Sequence, residues 1–271
     1  MTYEEAYLYM KEAGKRGSVY GTETVKELLL RLGNPQDRVP VVHIAGTNGK
    51  GSVFAFVEHI LEDAGYVVGR YISPTIFTYL ERFQINGHYM KESEFAQIME
   101  TVIPVCEDME EAGLSVPTAF EIETAVAFLY FVKKKVDIVL LETGMGGKND
   151  ATNVVKQPLC TVLASISRDH MQFLGDTLQE IKLFFYTITD LNCGYTVIDL
   201  IDSGNPQLIL LSFITKPASM QIFCYDLQLV SICHDRLYLH FITFIQPYLS
   251  YPILHRICHT RNLFPKDPHL L

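Results

Sequence analysis

His43-Ile44-Ala45-Gly46-Thr47-Asn48-Gly49-Lys50-Gly51-Ser52 is the stretch on which the reading of this chain turns. Upstream, Val39-Pro40-Val41-Val42-His43-Ile44-Ala45 is short and rich in β-branched residues, the pattern of a buried strand. Downstream, Lys50 to Ala64 sets Phe54, Val57, Ile60 and Leu61 on one helical face and closes at Gly65. A strand, a glycine-rich turn and a helix opening with Lys and Ser make a phosphate cradle. Loop and helix N–H groups point at the anion, Lys50 adds a point charge, and the Ser52 hydroxyl can ligate Mg²⁺. The spacing departs from the common P-loop, because Gly51 separates Lys50 from Ser52. Gly46, Thr47, Asn48, Gly49, Lys50, Gly51 and Ser52 are therefore assigned to nucleotide phosphates. The plainer alternative is a tight βα turn with an incidental lysine.

Working outward, Thr24 to Leu32 reads as a helix stopped by Gly33-Asn34-Pro35, a C-cap followed by a breaker. Tyr66 to Tyr71 is a second strand, and Ser93 to Ala112 and Ala119 to Lys135 are helices. The later helix is apolar on most sides, which predicts burial. Asp137 to Glu142 and Leu159 to Ile166 are further buried strands. Strands alternating with helices across short links predict an α/β fold, a P-loop-type, mostly parallel sheet flanked by helices. No internal repeat interrupts the pattern.

Three further strand ends present ligand atoms. Glu142 closes Asp137-Ile138-Val139-Leu140-Leu141-Glu142 and is followed by Thr143-Gly144-Met145-Gly146-Gly147. Open α/β sheets bind ligands at the carboxyl ends of their strands, so Glu142 is placed to hold Mg²⁺ against phosphates. His170, in Ser165-Ile166-Ser167-Arg168-Asp169-His170, is a candidate metal ligand, although a lone histidine is more often structural. Ser73, in Tyr71-Ile72-Ser73-Pro74, follows the second strand, where a Ser-Pro turn is the plain reading. Four strand ends each offering an oxygen or nitrogen is the stronger argument. Lys50, Glu142 and His170 are the candidate catalytic residues; Ser52, Ser73, Glu142 and His170 are the candidate metal ligands.

Bulk properties narrow the partners. With 22 Lys+Arg against 31 Asp+Glu the net charge is −9, which disfavours a nucleic-acid partner. Six cysteines at positions 106, 160, 193, 224, 233 and 258 form no CxxC pair, the usage of a reduced, cytoplasmic protein. Met1-Thr2-Tyr3-Glu4-Glu5 has no apolar leader segment, and the run Leu237 to His255 is broken by Pro247 and Pro252. We expect no membrane span, and a monomer.

Composition changes near residue 183. Residues 1–182 hold 42 charged residues, whereas 183–271 hold 11, with no Glu and a single Ala, Ala218. Leu, Ile, Phe and Tyr crowd there without a clear period of 2 or 3.6. We expect 1–182 to be the N-terminal part of an ATP-binding domain and 183–271 to be foreign sequence, as a reading-frame change would produce.

Leu32-Gly33-Asn34-Pro35-Gln36, His43 to Ser52, Tyr71-Ile72-Ser73-Pro74, Glu81-Arg82-Phe83-Gln84-Ile85-Asn86-Gly87, Phe120-Glu121 with Thr124-Ala125, and Leu141 to Gly147 together resemble the folylpolyglutamate synthase/dihydrofolate synthase family of Mur-type ligases. So do Asp150-Ala151-Thr152-Asn153 and Asp169-His170 with Leu174-Gly175-Asp176-Thr177-Leu178. The likeness covers about residues 22 to 181. It implies that ATP activates the carboxylate of a folate or of dihydropteroate as an acyl phosphate, which the amine of L-glutamate then attacks. Lys50 and the 46–52 loop would hold the phosphates, Ser73 and Glu142 would share one Mg²⁺, and His170 would serve a second. Two cations suit a reaction between two anions. The segment Ser73 to Arg82 would lie near the pterin and the metals.

The same resemblance marks a departure. In the family a helix after Leu-Gly-Asp-Thr-Leu carries a carbamylated, metal-binding lysine. Phe185 stands there by spacing, and Lys182 is out of register by roughly one helical turn. No Asp-Gly-Ala-His-Asn or Pro-Gly-Arg segment follows, so the second ligase domain is expected to be absent. The expected activity is that of the ligase, impaired in this chain. The alternatives are a non-catalytic nucleotide-binding remnant and an unrelated P-loop hydrolase, which the motifs beyond the phosphate loop disfavour.

Overall fold

In the computed structural model, the described residues are 1–17, 21–164 and 166–167, together with the backbone of three strands between 197 and 226. Five helices are α1 (Tyr3–Gly14), α2 (Glu23–Arg31), α3 (Lys50–Asp63), α4 (Glu92–Glu111) and α5 (Ala119–Lys134). The strands are β1 (Val41–Ala45), β2 (Val68–Tyr71), β3 (Phe83–Ile85), β4 (His88–Tyr89), β5 (Ile138–Glu142), β6 (Cys160–Leu163), β7 (Val197–Asp202), β8 (Leu208–Ile214) and β9 (Ile222–Asp226). They form one sheet in the order β4-β3-β2-β5-β1-β6-β7-β8-β9. The inner five strands, β2-β5-β1-β6-β7, are parallel, and the antiparallel pairs are confined to the two flanks.

That order sets where a ligand is expected. The chain leaves β1 through α3 toward β2, on one side of the sheet, whereas β7 lies beyond β6 on the other. Adjacent strands whose connections diverge leave a gap at their carboxyl ends, which here falls between β1 and β6.

Strand alternation sends successive side chains to opposite faces. Val42, Ile44, Val68, Ile138, Leu140, Cys160 and Val162 pack on one face with Phe54, Val57 and Leu61 of α3. Val41, Tyr71, Val139 and Leu141 face the other layer, with α1, α2, α4 and α5. By the same parity Glu142 belongs to the α3 face and His43 to the α5 face. The α5 helix is buried over nearly its whole length, from Glu121 to Phe131, as its apolar run predicts. Its N-terminus is closed by a capping box in which Thr118 and Glu121 satisfy each other's backbone N–H.

Element bounds move by one to three residues from those expected, as strand and helix ends do. Two features were absent from the sequence reading: helix α1 and the β3–β4 hairpin. The 183–271 stretch, without clear period, nevertheless contributes β7 to β9, and β6 and β7 pair in parallel across position 183. Among the described residues no helix is long and apolar enough to cross a membrane.

Candidate nucleotide-phosphate site

The loop between β1 and α3 is shaped by its glycines. Gly46 has φ +139°, and a Cβ there would lie 2.8 Å from Ala164 Cβ and 3.1 Å from the Ala164 backbone. Only glycine lets the loop cross this close to the end of β6. We predict that Gly46→Ala lowers stability by about 1–3 kcal/mol, the usual cost of overpacking a site whose neighbour is backbone; chemical denaturation would measure it. Thr47 and Ser167 then tie the two strand ends together. The Thr47 hydroxyl donates to Ser167 O (3.3 Å) and accepts from the Ser167 N–H (3.1 Å). Asn48 Nδ2 donates to Ser167 Oγ at 3.3 Å.

Gly49, in the left-handed conformation, starts α3 without a side-chain cap. The first N–H groups of α3 therefore remain available to an anion at the crevice. Lys50 curls over the loop, its Nζ donating to Gly46 O (2.8 Å) and Thr47 O (3.5 Å), and lies 3.7 Å from Glu142 Oε1. Glu142 Oε2 accepts the backbone N–H of Ser73 at 3.1 Å. Burial raises the Glu142 carboxyl above its ordinary range, opposed by the Ser73 N–H and the Lys50 charge. A carboxylate held this way is stabilised by a further cation. Arg70, one strand away, pairs with the buried Glu58 of α3 (2.8 Å) and caps the Phe54 ring.

Of the sequence-selected residues, the structure brings together Gly46, Thr47, Asn48, Gly49, Lys50, Glu142 and Ser73. Gly51 and Ser52 lie exposed in the first turn of α3. His170, Phe185 and the Leu174 to Leu178 segment lie outside the described residues. Among the described residues no three His, Cys, Asp or Glu side chains cluster as a metal cage. The donor set is instead Glu142 with the Ser73 region. Hard oxygen donors few in number fit Mg²⁺, which keeps waters and phosphate oxygens in its shell.

Sequence reasoning missed the support on the opposite face. His43 Nε2 lies 2.8 Å from Thr152 Oγ1 and 3.0 Å from Thr143 Oγ1. The Thr152 hydroxyl donates to Asp150 Oδ1 (2.6 Å), which also accepts the Thr152 N–H (2.9 Å), while Asp150 Oδ2 accepts the Met145 N–H (2.8 Å). Burial pushes His43 down to about 4, so the imidazole is neutral near pH 7. A Cβ on Gly144 would lie 2.6 Å from the Phe120 ring, so this glycine is set by packing. The advance signals were Leu141 to Gly147 and Asp150-Ala151-Thr152-Asn153, which carried the family resemblance without a role for Thr143, Asp150 or Thr152.

The segment after Ser73 is fixed from within. Glu81 Oε2 accepts the N–H groups of Ile76 (3.0 Å), Phe77 (2.7 Å) and Thr78 (3.4 Å), and these bonds, Phe77 first, lower its carboxyl below the usual range. Ile76 and Phe77 are left 80% and 82% exposed. Nearby in the chain, Arg82 pairs with Glu123, stacks on Tyr79 (4.5 Å to the ring centre) and donates from Nε to Tyr79 O (3.0 Å). Tyr79 OH donates to Glu123 Oε1 at 3.0 Å.

Comparison with known proteins places this geometry. The Mur ligase middle domain family matches residues 44–206, more than half the chain and across the change in composition. The chain belongs to the Mur ligase family. Within that family it is 44% identical over 180 residues to a dihydrofolate synthase/folylpolyglutamate synthase of Bacillus subtilis, covering 66% of this chain and 42% of the relative. Among solved structures it resembles E. coli FolC in complex with DHPP and ADP, with TM-score 0.64, 32% identity, and 74% and 47% of the two chains covered. The apo form of L. casei FPGS superposes with TM-score 0.72 over 99% of this chain and 70% of that one; at 22% identity this speaks for the fold alone. The chain thus spans about two fifths of the length of the B. subtilis relative.

Proposed function

We propose that this Mur ligase domain holds the triphosphate of ATP for an amide ligase that adds L-glutamate to a folate, or to dihydropteroate, through an acyl phosphate. One observation carries the reading: Lys50, Glu142 and Ser73, from three separate strand ends, converge beside the Gly46–Gly49 loop. In this reading Lys50 releases the loop carbonyls and pairs with the β- and γ-phosphates. The α3 N-terminus and the loop N–H groups hold the remaining oxygens. Glu142 with the Ser73 region would hold Mg²⁺, joined by Ser52 only if its exposed hydroxyl turns toward the loop; the ion would supply positive charge against the anionic oxygens of phosphate and carboxylate. The clamped segment from Ser73 to Thr78 offers Ile76 and Phe77 as an apolar surface for the flat pterin. His170 as ligand of a second Mg²⁺ belongs to the same proposal.

A second reading, nucleotide binding without ligation, is favoured by Phe185 at the position of the family's metal-binding lysine. Both readings are tested together with purified 271-residue chain, ATP, Mg²⁺, L-glutamate and either tetrahydrofolate or dihydropteroate. Nucleotide binding, phosphate release and product mass are recorded. We expect Mg·ATP binding, with glutamate-extended product formed far more slowly than about 1 s⁻¹, an ordinary enzyme rate. Product at that rate or above would remove the second reading. Binding with no product at all would favour it, and absence of nucleotide binding would remove both.

A further inference from the structure

We infer that His43 is a positioning residue for the phosphate site: its Nε2–H, shared by Thr143 and Thr152, holds the glycine loop after Glu142 in register with the phosphate loop after β1. This rests on the phosphate-site reading above and extends it to the opposite face of the sheet.

His43 lies three residues before Gly46, on the strand that feeds the phosphate loop, and Thr143 directly follows Glu142. One imidazole therefore joins the two strand ends that deliver Lys50 and Glu142. β1 and β5 are already bonded through the Thr143 N–H to Ile44 O (2.9 Å), but that bond leaves the loop beyond Thr143 unconstrained. His43 reaches further, to Thr152, 109 residues away.

Proton accounting fixes the tautomer. Burial raises the Asp150 carboxyl, opposed by the Thr152 hydroxyl and by backbone N–H groups; with Asp150 as acceptor, the single hydroxyl hydrogen of Thr152 goes to its Oδ1 at 2.6 Å. Thr152 Oγ1 then faces His43 as an acceptor only, so Nε2 carries the proton, which Thr143 Oγ1 shares at 3.0 Å. Asp150 passes the constraint on through Oδ2, which accepts the Met145 N–H in the middle of the loop. The path from β1 to the loop is thus His43, Thr152, Asp150 and Met145, every link a hydrogen bond of 2.8 Å or less. An apolar side chain would fill a buried strand position at lower desolvation cost. The imidazole is neutral around pH 7, which suits a fixed donor and not a proton carrier.

Two measurements test this on the 271-residue chain. The first needs no nucleotide: ¹⁵N NMR of the imidazole should show neutral His43 protonated at Nε2 between pH 5 and 8. An Nδ1–H tautomer, or titration near the ordinary value of 6.5, would overturn the inference. The second compares His43→Leu with His43→Gln, whose amide places a donor near Nε2, and with Thr152→Val, which removes the relay at little change in volume. The quantity read is the gain in ATP affinity on adding Mg²⁺, beside Tm and hydrogen exchange at the Met145 N–H. Lost support behind a ligand typically costs about 10–100-fold in metal affinity. We expect the Mg²⁺-dependent gain to fall by about that factor in His43→Leu and Thr152→Val, and to be largely restored in His43→Gln. A lower Tm with the gain unchanged would make His43 merely structural and overturn the inference. If the unsubstituted chain binds no ATP, the phosphate reading fails. The tautomer and the Met145 exchange rate then still decide whether His43 holds the loop.

Discussion

Replacing Arg82 by Ala is expected to destabilise the domain by about 3–5 kcal/mol, the usual cost of leaving one member of a buried ion pair alone. Arg82 is bound on three sides, by the Glu123 carboxylate, the Tyr79 ring and the Tyr79 carbonyl. Glu123 sits in the core face of α5, where burial already raises its carboxyl despite the opposing Arg82 charge. Without the guanidinium that carboxyl shifts further up. A group raised in the folded state contributes stability that is present below its unfolded value, near 4.5, and is lost as pH rises through the folded value. The gap between Arg82→Ala and the parent should therefore narrow as pH is lowered from 7 toward 4.5. Urea denaturation across that range measures it, and a gap under about 1 kcal/mol at pH 7, a surface-pair value, would mean the pair is not buried as described.

Lys50→Ala should weaken ATP binding about a hundredfold, because a hydrogen-bonded charge is removed from a site of opposed charge (about 2.7 kcal/mol). The side chain is part-buried and its contacts are to carbonyls that a bound phosphate would outcompete. Folding stability should fall less than in Arg82→Ala. Two of the lost bonds are to loop carbonyls, and Glu142, 3.7 Å away, loses a charge that opposes its raised carboxyl but keeps the Ser73 N–H. Isothermal titration would decide; a loss of affinity under about threefold would place the ammonium away from the phosphates.

The fold and the β1–loop–α3 side of the candidate site were largely legible because their signals are local. The β1–loop–α3 unit was readable from ten consecutive residues, and Glu142 from a single apolar strand ending in a carboxylate. The sequence also carried two local signals that went unused. Thr2 and Glu5 form the capping box of α1, with Ala6, Met10 and Ala13 on its buried face, and Asn86-Gly87 turns the β3–β4 hairpin. What was not legible depends on distant pairs. His43 meets Thr143 and Thr152 at separations of 100 and 109 residues, and Arg82 meets Glu123 at 41, so no spacing rule reports them. β7 to β9 lacked a clear alternation yet pair in register, since backbone ladders require no particular side-chain pattern.

The carboxyl ends of β1, β5 and β2, where Lys50, Glu142 and Ser73 meet, should bind nucleotide phosphates. Titration of the purified chain with adenosine, AMP, ADP and ATP, each with and without Mg²⁺, measures this. Affinity should climb steeply with the β- and γ-phosphates and rise further for ATP when Mg²⁺ is added. Equal binding of adenosine and ATP, with no response to Mg²⁺, would contradict it.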